Sequence, residues 1–240
     1  MADKSKIEWT EATWNPVRGC TKISAGCQNC YAEAFAERFR GVPGHPYEQG
    51  FDLRLVPESL DLPLRWKTPR KIFVNSMSDM FHEDVPEKFI AEVFDVMRRA
   101  PQHQFQLLTK RAERLAELSP HLPWPQNVWV GVTIENQATA HRLQHLLTVP
   151  AHIKFISFEP LLGPIDIDLN GVDWVIVGGE SGPHARPMLH EWVHALKEQC
   201  ISESIPFFFK QWGGTRKHLT GKMLDGYVWQ ELPTLSYSPA

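Results

Sequence analysis

A chain of 240 residues, 42% of them hydrophobic, carries enough apolar surface for a full core, and α/β barrels reach this length as one unit. The formal net charge of −3 and a pI near 6.4 exclude a protein whose affinity rests on non-specific phosphate binding. No apolar run approaches the length of a membrane span and no secretory signal pattern opens the chain, so the expectation is a cytoplasmic protein without membrane contact.

Residues 7–17 are rich in Trp and Thr (Trp9, Thr10, Thr13, Trp14) and end at Asn15-Pro16, which predicts a short first strand. Cys20, Cys27 and Cys30 follow, three of the four cysteines in the chain, with six and then two residues between them. Three clustered thiols cannot pair evenly as disulfides. Neighbouring thiolates are instead relieved of their charge by a soft metal or an iron–sulfur cluster. A closed structural site wants four protein ligands, whereas three leave a position open for chemistry. A zinc site would need a histidine as fourth ligand. His45 is nearest, but no His-x3-His pair follows it. Cys200 stands apart, at helical spacing with Trp192 and Leu196, and reads as a small core residue.

Residues 31–40 are strong helix formers with Phe35 and Phe39 one turn apart, and Gly41 stands where a C-cap belongs. Residues 42–70 hold five prolines and no clear period, which reads as an irregular insertion. Regularity begins at Lys71. Ile72–Asn75 is a short buried strand, and Asp84-Val-Pro-Glu87 resembles a capping box before a helix with Phe89, Ile90, Val93, Phe94 and Met97 on one stripe. Strands follow at 105–108, 128–132, 153–158, 174–177 and 207–209. Helices are predicted at 112–118, after Asn136 (apolar face Ala140, Leu143, Leu146, Leu147) and at 190–203. The link at 160–173 is too short and too rich in Pro and Gly for a regular helix, and 213–240 reads as an irregular C-terminal extension. Strands alternating with helices argue for a parallel sheet. The expectation is an α/β fold, a partial or full (β/α) TIM-like barrel forming one domain over 1–240, with the three-cysteine loop after the first strand. No glycine-rich dinucleotide fingerprint follows any strand.

In such a fold chemistry collects at the C-terminal ends of the strands. Those ends hold Asn75, Ser76 and Asp79, then Lys110 and Arg111, Thr133 and Glu135, Ser157 and Glu159, Glu180, and Lys210 with Gln211. Glu135, Glu159 and Glu180 recur at one level of successive strands. With Lys110, Arg111 and Lys210 they predict a charged rim around one cavity. Three function classes fit these features. One is an enzyme using an open iron–sulfur site, and another is an iron–sulfur- or zinc-stabilised nucleic-acid-binding module. The third is a metal-dependent hydrolase built on Glu135, Glu159, Glu180 and a histidine such as His82. The basic stretch Arg65, Lys67, Arg70, Lys71 reads first as a solvated face, and Trp212, Tyr227 and Trp229 either stack on a base or close the barrel.

The Cys20–Cys30 loop followed by Tyr31 resembles, in a variant spacing, the cluster loop of the radical S-adenosylmethionine (SAM) superfamily, in which three cysteines hold a 4Fe–4S cluster. A closer resemblance covers nearly the whole chain: a phage- and prophage-associated three-Cys-motif family of poorly defined function. Its blocks resemble Ile7-Glu-Trp-Thr10, Thr13-Trp-Asn-Pro16, Ser157-Phe-Glu-Pro160, Gly178-Gly-Glu-Ser-Gly182 and Lys210-Gln-Trp-Gly213. The superfamily resemblance implies a 4Fe–4S cluster on Cys20, Cys27 and Cys30 with SAM as second cofactor. By strand position it implies Ser76 and Asp79 at the SAM amino group, Lys110 or Arg111 at its carboxylate and Thr133 or Glu135 at its ribose, with Asn75 and Glu159 also at the cofactor. Glu180, Arg186, Lys210 and Gln211 would then face the substrate, a nucleobase or nucleic acid on the phage association. An electron donor of flavodoxin or ferredoxin type is the implied partner.

Overall fold

The computed structural model describes residue 5 and residues 7–234. In chain order the strands are β1 (Ala12–Trp14), β2 (Val17–Arg18), β3 (Arg54–Leu55), β4 (Lys71–Val74), β5 (Gln104–Thr109), β6 (Val128–Thr133), β7 (Ile153–Phe158), β8 (Trp174–Gly178), β9 (Phe207–Gln211), β10 (Met223–Leu224) and β11 (Tyr227–Val228). The helices are α1 (Tyr31–Ala36), α2 (Leu62–Arg65), α3 (Glu87–Arg99), α4 (Ala112–Leu118), α5 (Arg142–Leu147), α6 (His190–Ser202) and α7 (Lys217–Thr220). Seven strands form one sheet in the order β1-β4-β5-β6-β7-β8-β9, every neighbouring pair parallel, curled into a half-barrel. β1 and β9 are its two edges, so the barrel is open and the full-barrel alternative is excluded.

The two faces of the sheet divide by the two-residue period of a strand. On the outer face Trp14, Val74, Phe105, Leu107, Val130, Val132, Ile156, Val175 and Val177 are buried in the main core, which also takes the apolar stripe of α3. On the inner face Phe73, Trp129, Phe155, Trp174, Ile176 and Phe208 form a second cluster closed by Trp9. The Trp9 ring centroid lies 4.6 Å from that of Phe73, tilted by 54°, and 6.1 Å from that of Trp174, edge to face. The Gln106 amide donates to the Trp9 carbonyl at 3.3 Å and ties that segment over the concave face. Rings on this face bury large areas and fill the half-barrel below its rim.

The predicted helices and strands are present, with four local differences. Asp84 does not cap α3; Pro86 occupies the N-cap position with no side-chain bond, and the first turn is left to its own amides. Asn136 does cap, through its side chain on the Ala138 amide, but the helix it opens is a 3-10 turn before α5, and this turns Leu147 outward. The insertion at 42–70 is pinned to the sheet: β3 pairs antiparallel with β2, and the buried Trp14 indole donates to the Ser59 carbonyl at 2.8 Å. The stretch expected to be an irregular extension carries α7 and the β10–β11 hairpin, while 235–240 lie outside the described residues. No helix of the described chain is long and apolar enough to cross a membrane.

Candidate functional site

A cavity of about 590 Å³ opens at the C-terminal ends of the parallel strands, within the range of small-ligand sites. Its floor is the rim of the aromatic inner face, Trp9, Phe73 and Leu108. Its walls are side chains with the same inward parity one step further along each strand: Asn75, Lys110, Thr133, Ser157, Glu159, Glu180 and Lys210. Across its mouth lies the loop carrying Cys20, Cys27 and Cys30, all half-buried and all lining it. Ser76, Asp79, Arg111 and Gln211 complete the predicted residues in the lining.

The loop is held over the cavity by strand-end side chains. Gly19, just before Cys20, has φ +79°, and a Cβ there would stand 2.2 Å from the Asp52 carbonyl oxygen, so only glycine fits the entry to the loop. Ser24 Oγ donates to Glu135 Oε1 at 2.6 Å, and the second Glu135 oxygen accepts from Arg142 Nη1 at 3.0 Å. Asn29 Nδ2 donates to Glu180 Oε2 at 3.0 Å. Arg186 forks onto both Glu180 oxygens, at 2.5 and 2.9 Å, and donates to the Ala25 carbonyl of the loop at 2.9 Å. Arg111 reaches Cys20 Sγ at 3.4 Å, Thr21 Oγ1 at 2.8 Å, Glu83 at 2.9 Å and Asp79 at 3.4 Å.

These contacts revise four of the predicted roles. Glu135 does not line the cavity: it is fully buried, and its carboxylate is taken up by Ser24 and Arg142. Glu180 lines the wall but its oxygens are engaged by Arg186 and Asn29, so it clamps the loop. Asp79 accepts from Thr109 Oγ1 at 2.6 Å, Lys110 N at 3.1 Å, Phe81 N at 3.0 Å and Arg111, which fixes the turn after β5 and leaves it little capacity for an ammonium ligand. With Arg111 tied to the loop, Lys110 is the remaining cation on that wall. The Glu159–Lys210 pair, 2.5 Å apart and only partly exposed, faces the cavity from the opposite side.

Three buried atoms of lining side chains have no hydrogen-bond partner among the described residues: Trp9 Nε1 in the floor, and Asn75 Nδ2 and Ser157 Oγ in the wall. Asn75 Nδ2 and Ser157 Oγ belong to residues 2% and 1% exposed, and neither makes a hydrogen bond. Unpaired buried polar groups are costly, so each marks a place where a polar ligand atom fits. Asn75 also adopts φ +61°, a left-handed conformation that a non-glycine residue holds only when its surroundings impose it. Ser157 is the residue that strand-end reading underweighted. Its inward parity with Phe155 was the available signal.

Burial first, and the Asp79 charge next, push the Cys20 thiol up to about 11 against the pull of Arg111. It is a neutral thiol at neutral pH until a metal replaces its proton. Burial works against ionisation of Glu180, but the bonds from the Arg186 side chain and amide and from Asn29 outweigh it and hold the carboxyl below the usual range. Glu83 is held at about 2, by its own backbone amide and then by Arg111. A folded-state pKa depressed from 4.5 contributes stability that is present above pH 4.5 and is lost as pH falls towards 2. Urea unfolding followed across that window is expected to show a falling midpoint that Glu83→Gln flattens. Equal slopes in the two proteins would remove Glu83 from the network.

The cysteine sulfurs are not among the described groups whose ligand atoms converge within 4.8 Å, which argues against a compact tetrahedral zinc set. His45, the nearest candidate fourth ligand, is stacked on Phe39 with ring centroids 3.8 Å apart. His82 is fully buried and bonded to Thr21 Oγ1 at 2.9 Å, outside the cavity lining, so the carboxylate–histidine set of a hydrolase is not assembled. Trp212 and Trp229 pack half-buried against the core and Tyr227 is exposed; none lines the cavity.

A family model described as "Protein of unknown function (DUF5131)" matches residues 4–233. The chain belongs to this family. No curated protein and no solved structure matches it. Membership therefore leaves the chemistry to the site, whose three thiols are of the donor type that an open three-thiolate centre uses. The donor set is three half-buried thiols, not drawn together into one compact group, beside a ligand-sized cavity lined by Lys110 and by three side-chain atoms that have no hydrogen-bond partner among the described residues.

Proposed function

We propose that this chain is a radical SAM-type enzyme on a partial TIM-like barrel, acting in the cytoplasm, with a 4Fe–4S cluster on Cys20, Cys27 and Cys30 and SAM in the adjoining cavity. The observation that carries the reading is the placement of all three cysteines on the mouth of one cavity at the C-terminal ends of the parallel strands. When bound, such a cluster supplies one electron for reductive cleavage of SAM, the start of radical chemistry. The chain's part is binding and positioning. Lys110 offers its ammonium to the carboxylate of the cofactor, Asn75 Nδ2 and Ser157 Oγ offer it hydrogen bonds, and Ser76 and Thr133 line its place. Glu135, Glu180, Arg111 and Arg186 fix the loop and so the distance from cysteines to cavity. Trp9, Phe73 and Leu108 keep the floor apolar and exclude water. Glu159 and Lys210 meet the substrate, while Gln211, buried and with its amide bonded to the Gly179 carbonyl and Ser181 Oγ, braces the wall beside them instead of reaching the substrate. Reduction needs an external one-electron donor, of flavodoxin or ferredoxin type. A nucleobase-bearing substrate remains the expectation from the phage-associated resemblance.

The deciding experiment uses the iron-loaded protein. Adding SAM to the reduced sample is expected to change its electron paramagnetic resonance signal, and dithionite is expected to release 5′-deoxyadenosine slowly without substrate. Lys110→Ala should weaken SAM binding about tenfold, the scale of losing one charged hydrogen bond, with iron content unchanged. A signal indifferent to SAM, with no 5′-deoxyadenosine formed, sinks the reading.

A further inference from the structure

We propose a second metal site, remote from the cysteine loop and independent of the function above, in which His190, His194 and Asp225 bind a divalent transition ion of the zinc class. His190 and His194 lie one turn apart on the same side of α6. Asp225 is held at the tip of the β10–β11 hairpin, where its φ of +53° and that of Gly226, +81°, make a tight turn. The carboxylate points back at the helix: Oδ1 is 3.2 Å from His190 Nε2 and Oδ2 is 2.9 Å from His194 Nε2. The three ligand atoms lie within 4.8 Å of one another, the one such set among the described residues.

The surroundings orient these ligands as a metal requires. The Trp212 indole stacks on the His190 ring at 5.4 Å and 15°, which fixes its plane. Glu198 Oε1 stands 3.7 Å from His194 Nδ1, the nitrogen that a ligating imidazole turns to an outer carboxylate. Lys197 is the opposing charge, with Nζ 2.6 Å from Asp225 Oδ2 and 3.2 Å from Glu198. It sits on Oδ2 and leaves Oδ1 with its imidazole neighbour. Two carboxylates against one ammonium keep the local balance negative. Two imidazoles and one carboxylate oxygen are the borderline set that favours zinc over calcium or magnesium, and three protein ligands leave a coordination place for water. His190 is 56% exposed, so the ion enters from solvent. Occupancy would bind the hairpin to α6 beside Trp212, which directly follows Gln211 of the cavity wall.

Calorimetric titration of Zn²⁺ into the full chain tests this, run on the wild type and on a variant with Cys20, Cys27 and Cys30 all changed to Ala. One equivalent binding in both places the site away from the cysteines. His190→Ala and His194→Gln should each weaken that equivalent about tenfold or more and remove the rise in melting temperature that Zn²⁺ gives. Lys197→Met should tighten it. No such equivalent in the wild type, its loss with the cysteines, or wild-type affinity in the two histidine variants overturns the proposal. The exposed histidines make folding failure an easily detected outcome, and the Lys197→Met protein gives an arm that rests on neither of them.

Discussion

Cys27→Ala is expected to strip most of the iron from the reconstituted protein and to abolish SAM cleavage, and the same is expected of Cys20→Ala and Cys30→Ala. Three thiolates hold three corners of a cubane, and two do not retain it, so the cysteines act as a unit rather than in graded steps. The loop that bears them is fixed from both ends by Arg111 and by the Glu180–Arg186 clamp. Cys200 is the internal control. It is fully buried in α6, burial pushes its thiol up to about 12, and it is inert core. Cys200→Ala should cost about 1 kcal/mol of stability, as a small core truncation does, and keep the iron. Iron content and visible absorption of the four variants decide the matter. Wild-type iron in Cys27→Ala would overturn the assignment.

The second large effect is on the frame that carries the rim. Gly179→Ala is expected to destabilise the protein by about 3 kcal/mol and to disorder the cavity wall, because overpacking at a site that cannot yield carries that cost. A Cβ on Gly179 would stand 2.0 Å from the Trp212 carbonyl oxygen and 2.7 Å from its carbon, both backbone atoms. Relief means pushing the ends of β8 and β9 apart, where Glu180 and Gln211 stand next in line. The amide of Gly179 also donates to the Gln211 carbonyl at 3.0 Å, a bond the displacement would stretch. Gly163→Ala is the matched control, since its nearest neighbour is 3.7 Å away and its backbone is unstrained. It should be neutral or slightly stabilising, through the lower entropy of the unfolded chain. Chemical denaturation of both variants reads the contrast, and similar midpoints would refute the close-packing argument.

Much of this architecture was legible in the chain because local patterning and burial agree. The apolar runs at 72–74 and 174–177, and the apolar-rich stretch 153–158 broken by Lys154 and Ser157, read as buried strands, and the stripe from Phe89 to Met97 reads as a helix against them. The cysteine spacing carried its own chemistry, since clustered thiols need a charge partner wherever the loop lies. Tertiary structure alone decided which charged residues are free. Glu135, Glu159 and Glu180 are equivalent in sequence, each just past a strand. In space Arg142 with Ser24 consumes the first, Arg186 with Asn29 the third, and only the second is left with Lys210 over the cavity. The open edge between β1 and β9 and the meeting of His190, His194 and Asp225 were likewise hidden. The physical reason is the same in each case. Periodicity reports which side of an element faces the core, whereas how a given charge is satisfied depends on partners as much as 161 residues away, set by how the elements pack.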